Sequence, residues 1–272
     1  MNIFDKSYQL VDEFVSKNEN NRLISGTGSY SSLFRGSLFG ETKTKEVVDA
    51  LKTKQIKVLW LGSNPNVPES LKLIQENNSQ SHYQDFLIQK KCGYFSEVSY
   101  NSETNIYQSG WDPINNPDHK WSFYTEIFNK IYGSESTLMA NFLPWGSEDY
   151  QKFLKGIGNI DNSLLSRLLE FSRKLNLLLI EELKPELIVV PKSIVNTPIK
   201  NWHFGADKDN LGISKRIDAK VPFIFTLKEL SFSYGAVKVL ICPHPSYTPR
   251  VGKENREDIQ NEIINMLTKK ST

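Results

Sequence analysis

The chain has 272 residues, of which 39% are hydrophobic, so we expect one large globular domain with a sizeable core. Its 33 basic and 31 acidic side chains leave a net charge of +2, which neither requires nor excludes nucleic acid, so any DNA contact needs a local patch. No stretch approaches the roughly 20 apolar residues of a membrane span, and no histidine or cysteine cluster has metal-ligand spacing.

The two cysteines indicate a reducing compartment. Cys92 lies in a polar stretch and Cys242 in an apolar run, so no structural disulfide is expected. No charged-then-apolar leader opens the sequence. We therefore expect a soluble, cytoplasmic protein without a resident metal or cofactor.

The N-terminal part, residues 1–55, is predicted to be a helical extension. An amphipathic helix is expected at 5–17 and a second helix at 42–53. Between them, residues 26–41 are rich in glycine and serine. Because this stretch lacks the Gly-Lys-Ser/Thr ending of a phosphate-binding loop, a solvated loop is the better interpretation. A first apolar strand follows at 56–61.

The rest of the chain alternates strands with helices. A long polar segment at 67–120 includes an insert at 67–110, and segments of this kind are usually functional or partly disordered. The elements that follow are a helix at 119–132, a strand at 137–142, a helix at 163–183, a strand at 186–191, a loop-rich stretch at 195–220, strands at 222–227 and 237–242, and a helix at 254–269. This order predicts an α/β fold, a three-layer α/β/α sandwich around a central, mainly parallel four-stranded sheet. With no linker in view, residues 1–272 form a single domain with its core at about 56–269.

Three of the predicted strands end in polar residues suited to a site. The first runs into Gly62 and Asn64, the second into Asn141, and the last into His244, which stands between two prolines. Prolines fix φ and remove donors, so they stop the strand and hold the imidazole rigidly. A glycine without a Cβ allows a ligand to approach the backbone. Because ligands of open α/β sheets bind beyond the carboxyl ends of the strands, these residues form a candidate site.

These strand ends resemble motifs of the uracil-DNA glycosylase superfamily. Gly62-Ser63-Asn64-Pro65-Asn66 looks like the first motif, Gly-x-Asn-Pro-Gly, of its mismatch-specific and single-strand-selective branches. His244-Pro245-Ser246 looks like the second motif. Asn141-Phe142-Leu143-Pro144 is similar to the strand end where a family asparagine reads the base. Asn116-Pro117 through Trp121 also resembles the mismatch-specific branch. The resemblance spans roughly residues 56–256.

The resemblance implies a glycosylase-like fold and roles for the strand-end residues. His244 donates to the departing base, Asn64 positions the attacking water, and Asn141 binds the edge of the base. Gly62 and Ser63 belong to the base-binding set. An aromatic residue stacks on the flipped base, and the candidates are Trp111, Phe123 and Tyr107. For Trp111, packing beneath the long polar segment is an equal alternative. Lys192 is interpreted as a solvated lysine, which leaves a monofunctional enzyme.

The segment after the second motif is the implied DNA contact. In the family it enters the minor groove, and here it carries phosphate-binding and wedge candidates. These are Ser246, Tyr247, Arg250, Lys253 and Arg256. For Lys253 and Arg256 a charged helix start is an equal alternative.

The sequence departs from the family at the first motif, and two other functions stay open. Asn66 stands where the related branches have glycine, so the choice of base is open. Asn64 is an amide and not a carboxylate, so a protein that binds DNA or a base without cutting it is one alternative. A hydrolase of free nucleosides or nucleotides is another. We expect a monomer with DNA as its partner.

Overall fold

The computed structural model describes residues 3–18, 56–63, 98–101, 106–109, 122–133, 136–143, 150–197, 202–204, 213–216, 224–244 and 253–269. Its helices are α1 (Ile3–Ser16), α2 (Ser122–Tyr132), α3 (Tyr150–Ile160), α4 (Asn162–Leu183), α5 (Lys192–Val195) and α6 (Lys253–Thr268). Its strands are β1 (Val58–Gly62), β2 (Val98–Asn101), β3 (Ile106–Ser109), β4 (Thr137–Asn141), β5 (Leu187–Pro191), β6 (Ile213–Arg216), β7 (Ile224–Phe232) and β8 (Gly235–Cys242). None of these described helices is both long and apolar enough to cross a membrane. The helix predicted at 42–53 and the loop at 26–41 lie outside the described residues.

A mainly parallel sheet with the strand order β4-β1-β5-β8-β7-β6 is the central element. β1 pairs in parallel with β5, and β5 with β8. β4 runs parallel to β1: the N–H groups of Lys57 and Val58 donate to the carbonyl of Ser136 just before β4, and the N–H of Phe142 just after β4 donates to the carbonyl of Gly62. β7 and β6 then extend the sheet in antiparallel pairing. The prediction of an α/β fold with a mainly parallel sheet is confirmed. The predicted strand number is wrong, since the sheet has six strands and not four.

The burial of the central strands explains their composition. All five residues of β1 and all five of β5 are buried. Parallel strands covered on both faces need such continuous apolar runs. These two strands can therefore be predicted from the sequence.

The two added strands are more polar than the central ones. β7 continues to Phe232, past the predicted end at residue 227, and only Phe225 and Lys228 of its nine residues are buried. It turns into β8 through Ser233 and Tyr234. Gly235 has a φ of 134°, a conformation that only glycine adopts without strain. β6 lies in the stretch predicted as loop-rich, and β2 with β3 forms an antiparallel pair inside the predicted irregular segment.

The chain divides into two compact units. One comprises Met1–Lys52, Gly62–Trp111 and Met139–Glu182, and the other Thr53–Leu61, Asp112–Leu138 and Leu183–Thr272. We call them the first and second unit. The single domain over residues 1–272 stays a prediction.

Helix α4 is the longest element of the first unit. It follows Asp161, whose Oδ1 accepts hydrogen bonds from the backbone N–H groups of Ser163 and Leu164 at 2.9 and 3.0 Å, a helix N-cap. The hydroxyl of Ser163 donates to the same oxygen at 2.7 Å, and this bond, followed by the backbone bonds, lowers the pKa of Asp161. Phe171 of α4 stacks on Phe14 of α1, with ring centroids 4.4 Å apart. The predicted helices at 163–183 and 5–17 are confirmed.

An aromatic cluster holds α2 against the sheet in the second unit. Tyr124, Ile127 and Phe128 are fully buried, as the predicted inward face of this helix requires. Trp60 of β1 meets the rings of Tyr124 and Phe128 edge-on, at centroid distances of 5.1 and 5.5 Å. Such contacts add stability beyond the area they bury.

Candidate functional site

The ends of β1 and β4 lie side by side in the first unit. Beyond Asn141, the backbone N–H of Phe142 donates to the carbonyl of Gly62 at 2.7 Å. The N–H of Leu143 donates to the carbonyl of Ser63 at 3.0 Å. The structure therefore brings together Gly62, Ser63 and Asn141, three of the residues that the sequence predicts for base binding.

The absent side chain of Gly62 makes room for Asn141. A Cβ on Gly62 would lie 2.8 Å from Oδ1 of Asn141, closer than the 3.4 Å at which ordinary van der Waals contact begins. The missing side chain of Gly62 therefore leaves room for the amide of Asn141, and the expected approach of a ligand to this glycine stays a prediction. This contact limits the positions open to that amide.

Asn176 of α4 holds the same strand end from the helix. Its Nδ2 donates to the carbonyl of Phe142 at 3.1 Å and to that of Ser172 at 2.7 Å. The side chain is fully buried, and its Oδ1 has no hydrogen-bond partner among the described residues. A partly satisfied buried amide is a poor source of stability. Its structural effect is to tie the residue after Asn141 to a 22-residue helix.

His244 follows the end of β8 in the second unit. Cys242 is the last residue of β8 and pairs with Pro191 of β5. The next carbonyl, that of Pro243, accepts a hydrogen bond from the hydroxyl of Tyr124 at 2.9 Å. His244 itself is half-buried. An imidazole carries at least one ring N–H, so this side chain is able to donate to an oxyanion.

Burial favours the neutral forms of Cys242 and Tyr124, the residue before Pro243 and the residue bonded to its carbonyl. It raises the pKa of the Cys242 thiol to about 12, while a hydrogen bond with Tyr124 acts in the opposite direction. Burial also raises the pKa of Tyr124, and Cys242 adds to the increase. Cys242 is therefore a protonated thiol at neutral pH and not a nucleophile.

Phe123 and Arg256 belong to a second cluster in the second unit, where α2 meets α6. Arg256 donates to Glu126 at 2.9 Å, and its guanidinium carbon lies 5.7 Å from the centre of the Phe123 ring. Gln260 donates to the Phe123 carbonyl at 3.0 Å and to Glu126 at 2.6 Å. Phe123 is only 1% exposed. A base cannot stack on a ring so covered, so Phe123 is left out of the site proposed below. The phosphate contact of Arg256 stays a prediction.

The other predicted site residues lie outside the described part of the chain. They are Asn64, Trp111, Ser246, Tyr247 and Arg250. Lys253 begins α6, and its side chain is not described. Within the described ranges, no group of three or more His, Cys, Asp and Glu side chains is arranged to hold a metal ion.

Two residues near the predicted site are not evident as functional residues in the sequence. The spacing of Tyr124 fits the inward face of α2, so the sequence indicates a core residue. The one feature that points to a further role is that a buried phenol needs a hydrogen-bond partner. Asn176 lies on the buried face of a leucine-rich helix, four residues after Ser172 and eight after Leu168. A polar residue at such a position indicates a buried hydrogen bond but not its acceptor.

Comparison of the chain with family models, with curated proteins and with solved structures finds no match. We therefore infer the function of this chain from its residues and their contacts.

Proposed function

We propose that this chain is a monofunctional DNA glycosylase. It hydrolyses the N-glycosidic bond of uracil or a related deaminated base in DNA and leaves an abasic site. The proposal includes the three-layer α/β/α sandwich of the uracil-DNA glycosylase superfamily, a monomeric state and DNA as the partner.

The observation that carries the proposal is the position of Asn141. It is the last residue of a strand of the parallel sheet, at the edge where ligands of open α/β sheets bind. The contact with Gly62 restricts its amide on one side, and the hydrogen bonds at Phe142 fix the backbone of the next residue. An amide both donates and accepts, which suits the Watson–Crick edge of a base, and a restricted amide discriminates better than a mobile one.

The reaction requires few groups. The target nucleotide leaves the stack, and the bond between C1′ and the base nitrogen breaks with its electron pair passing to the base. The oxygen of a water molecule bonds to C1′, and the proton that this water loses ends on the released base. Asn64 orients the water. Because an amide is a weak base, the rate depends on stabilising the leaving base.

His244 supplies that stabilisation in this proposal. One N–H aimed at a developing oxyanion contributes about 3 to 4 kcal/mol to transition-state stabilisation. The hydrogen bond on Pro243 and the proline itself support a fixed backbone immediately before the imidazole.

A panel of oligonucleotides tests the proposal. Single- and double-stranded substrates containing uracil, hypoxanthine or xanthine are incubated with the full chain, and release of free base is scored as alkali-sensitive strand breaks. We expect cleavage of at least one substrate in this panel. If none is cut, the catalytic proposal fails.

Two single variants test the assigned roles. His244→Ala and Asn141→Ala are each expected to lower the single-turnover rate by about 10²- to 10³-fold. Asn159→Ala removes an exposed amide of α3 and is the matched control. A variant that keeps the wild-type rate would remove that residue from the proposed mechanism.

A binding protein is the second candidate, because the sequence Asn64-Pro65-Asn66 after Ser63 carries two amides and no carboxylate. It predicts DNA binding that weakens as salt rises, without release of a base. Activity on free nucleosides alone would instead favour the nucleoside hydrolase.

A further inference from the structure

The parallel ladder between β5 and β8 ends before His244. Its last residue pair is Pro191 with Cys242, two residues before His244. Pro243 and Pro245 have no backbone N–H to donate. The carbonyl of Pro243 is the backbone acceptor one residue before His244, so a hydrogen bond to it acts close to the imidazole.

Tyr124 of α2 reaches this carbonyl from the core. Its hydroxyl donates to the Pro243 oxygen at 2.9 Å, and the same hydroxyl is hydrogen-bonded to the Cys242 thiol. The ring has almost no freedom, since it is fully buried among Trp60 and Phe128. A rigid phenol thus fixes the backbone one residue before His244.

The protonation of Tyr124 suits this task. Burial raises the pKa of the phenol well above its usual value, so the hydroxyl keeps its proton near neutral pH. Burial likewise keeps Cys242 a neutral thiol. The hydrogen bond to Pro243 is therefore not switched off by titration near neutral pH.

We propose that Tyr124 is a positioning residue for His244, which it holds through the carbonyl of Pro243. This inference rests on the proposed glycosylase function for its effect on rate. Its structural part is independent of that function. Tyr124 touches neither base nor DNA in this account, and it acts through the backbone.

Tyr124→Phe removes the hydroxyl and keeps the ring. We expect the single-turnover rate of base release to fall about tenfold, as a small misplacement of a catalytic group would produce, with DNA affinity unchanged. In protein labelled on its histidines, the His244 imidazole signal, assigned by its loss in His244→Ala, is expected to shift or broaden. Cys242→Ala keeps the Tyr124–Pro243 bond and is the control, expected within about twofold of the wild-type rate.

The two readouts separate this inference from the proposed function. If the wild-type chain releases no base, the glycosylase proposal fails, and the His244 signal alone decides the role of Tyr124. A Tyr124→Phe protein that folds with an unchanged His244 signal overturns the inference. So does a loss of rate in Cys242→Ala equal to that in Tyr124→Phe.

A second probe serves if Tyr124→Phe does not fold. Site-specific 3-fluorotyrosine at position 124 keeps the ring and changes the acidity of the hydroxyl, so the His244 signal must move. The same probe at Tyr132, on the same helix, must leave that signal in place. An unmoved signal with the probe at 124 contradicts the inference.

Discussion

Gly62→Ala is the substitution that most directly perturbs the proposed base-reading amide. The new Cβ would lie 2.8 Å from Oδ1 of Asn141, and the amide has to retreat to about 3.4 Å. Gly62 does not have a positive φ, so alanine fits the backbone. A misplacement of about 1 Å costs about 10²-fold in rate, so this smaller shift is expected to cost about tenfold. The free energy of unfolding should change by less than about 1 kcal/mol.

Single-turnover base release and urea unfolding, measured on the same preparations, check this prediction. Gly156→Ala in α3 is the matched control, because its Cβ meets nothing within 4 Å. That variant should keep the wild-type rate and gain about 0.5 to 1 kcal/mol of stability. A Gly62→Ala protein with the wild-type rate would refute the claim that this contact positions Asn141.

Three further predictions concern stability and are checked by urea unfolding. Asn176→Ala removes the hydrogen bonds from this amide to the carbonyls of Phe142 and Ser172 and should cost about 1 to 2 kcal/mol, and an unchanged midpoint would contradict that tie. Gln260→Ala breaks two hydrogen bonds between α6 and α2 and should lower the free energy of unfolding by about 1 to 2 kcal/mol. No loss would mean that the Arg256–Glu126 bond holds these two helices together without Gln260. Burial raises the pKa of Cys242 to about 12 in the folded protein, so the thiol of the unfolded chain loses its proton at a lower pH than the folded one. The free energy of unfolding therefore falls as pH rises from about 9 towards 12. Cys242→Ala should remove about 1.4 kcal/mol per pH unit of that fall, and an equal slope in both proteins would show an exposed thiol.

The parallel part of the sheet was predictable, and the antiparallel part was not. β1 and β5 are covered on both faces, so their sequences are uninterrupted apolar runs. β7 passes through Lys228 and Glu229, which break the apolar run although the strand continues to Phe232. Pairing with β8 holds this stretch in the sheet, and such pairing leaves little trace in local composition.

The positions of the strand-end residues were predictable because each residue is joined to its strand in the sequence. Asn141 ends its strand and His244 comes two residues after the end of its own, wherever the rest of the chain lies. Their supports were not predictable, since they come from distant parts of the sequence. Asn176 is 34 residues from the carbonyl it binds, and Tyr124 is 119 residues from Pro243. The position of each hydrogen bond is a property of the packed fold.

The central claim is that this chain releases a deaminated base from DNA with the help of His244. Single-turnover cleavage of a uracil-containing oligonucleotide, compared between the wild-type chain and His244→Ala, tests it most directly. We expect free uracil and an alkali-sensitive site with the wild type, and a rate about 10²- to 10³-fold lower with the variant. Equal rates in the two proteins, or no free uracil from the wild type on either single- or double-stranded DNA, would contradict it.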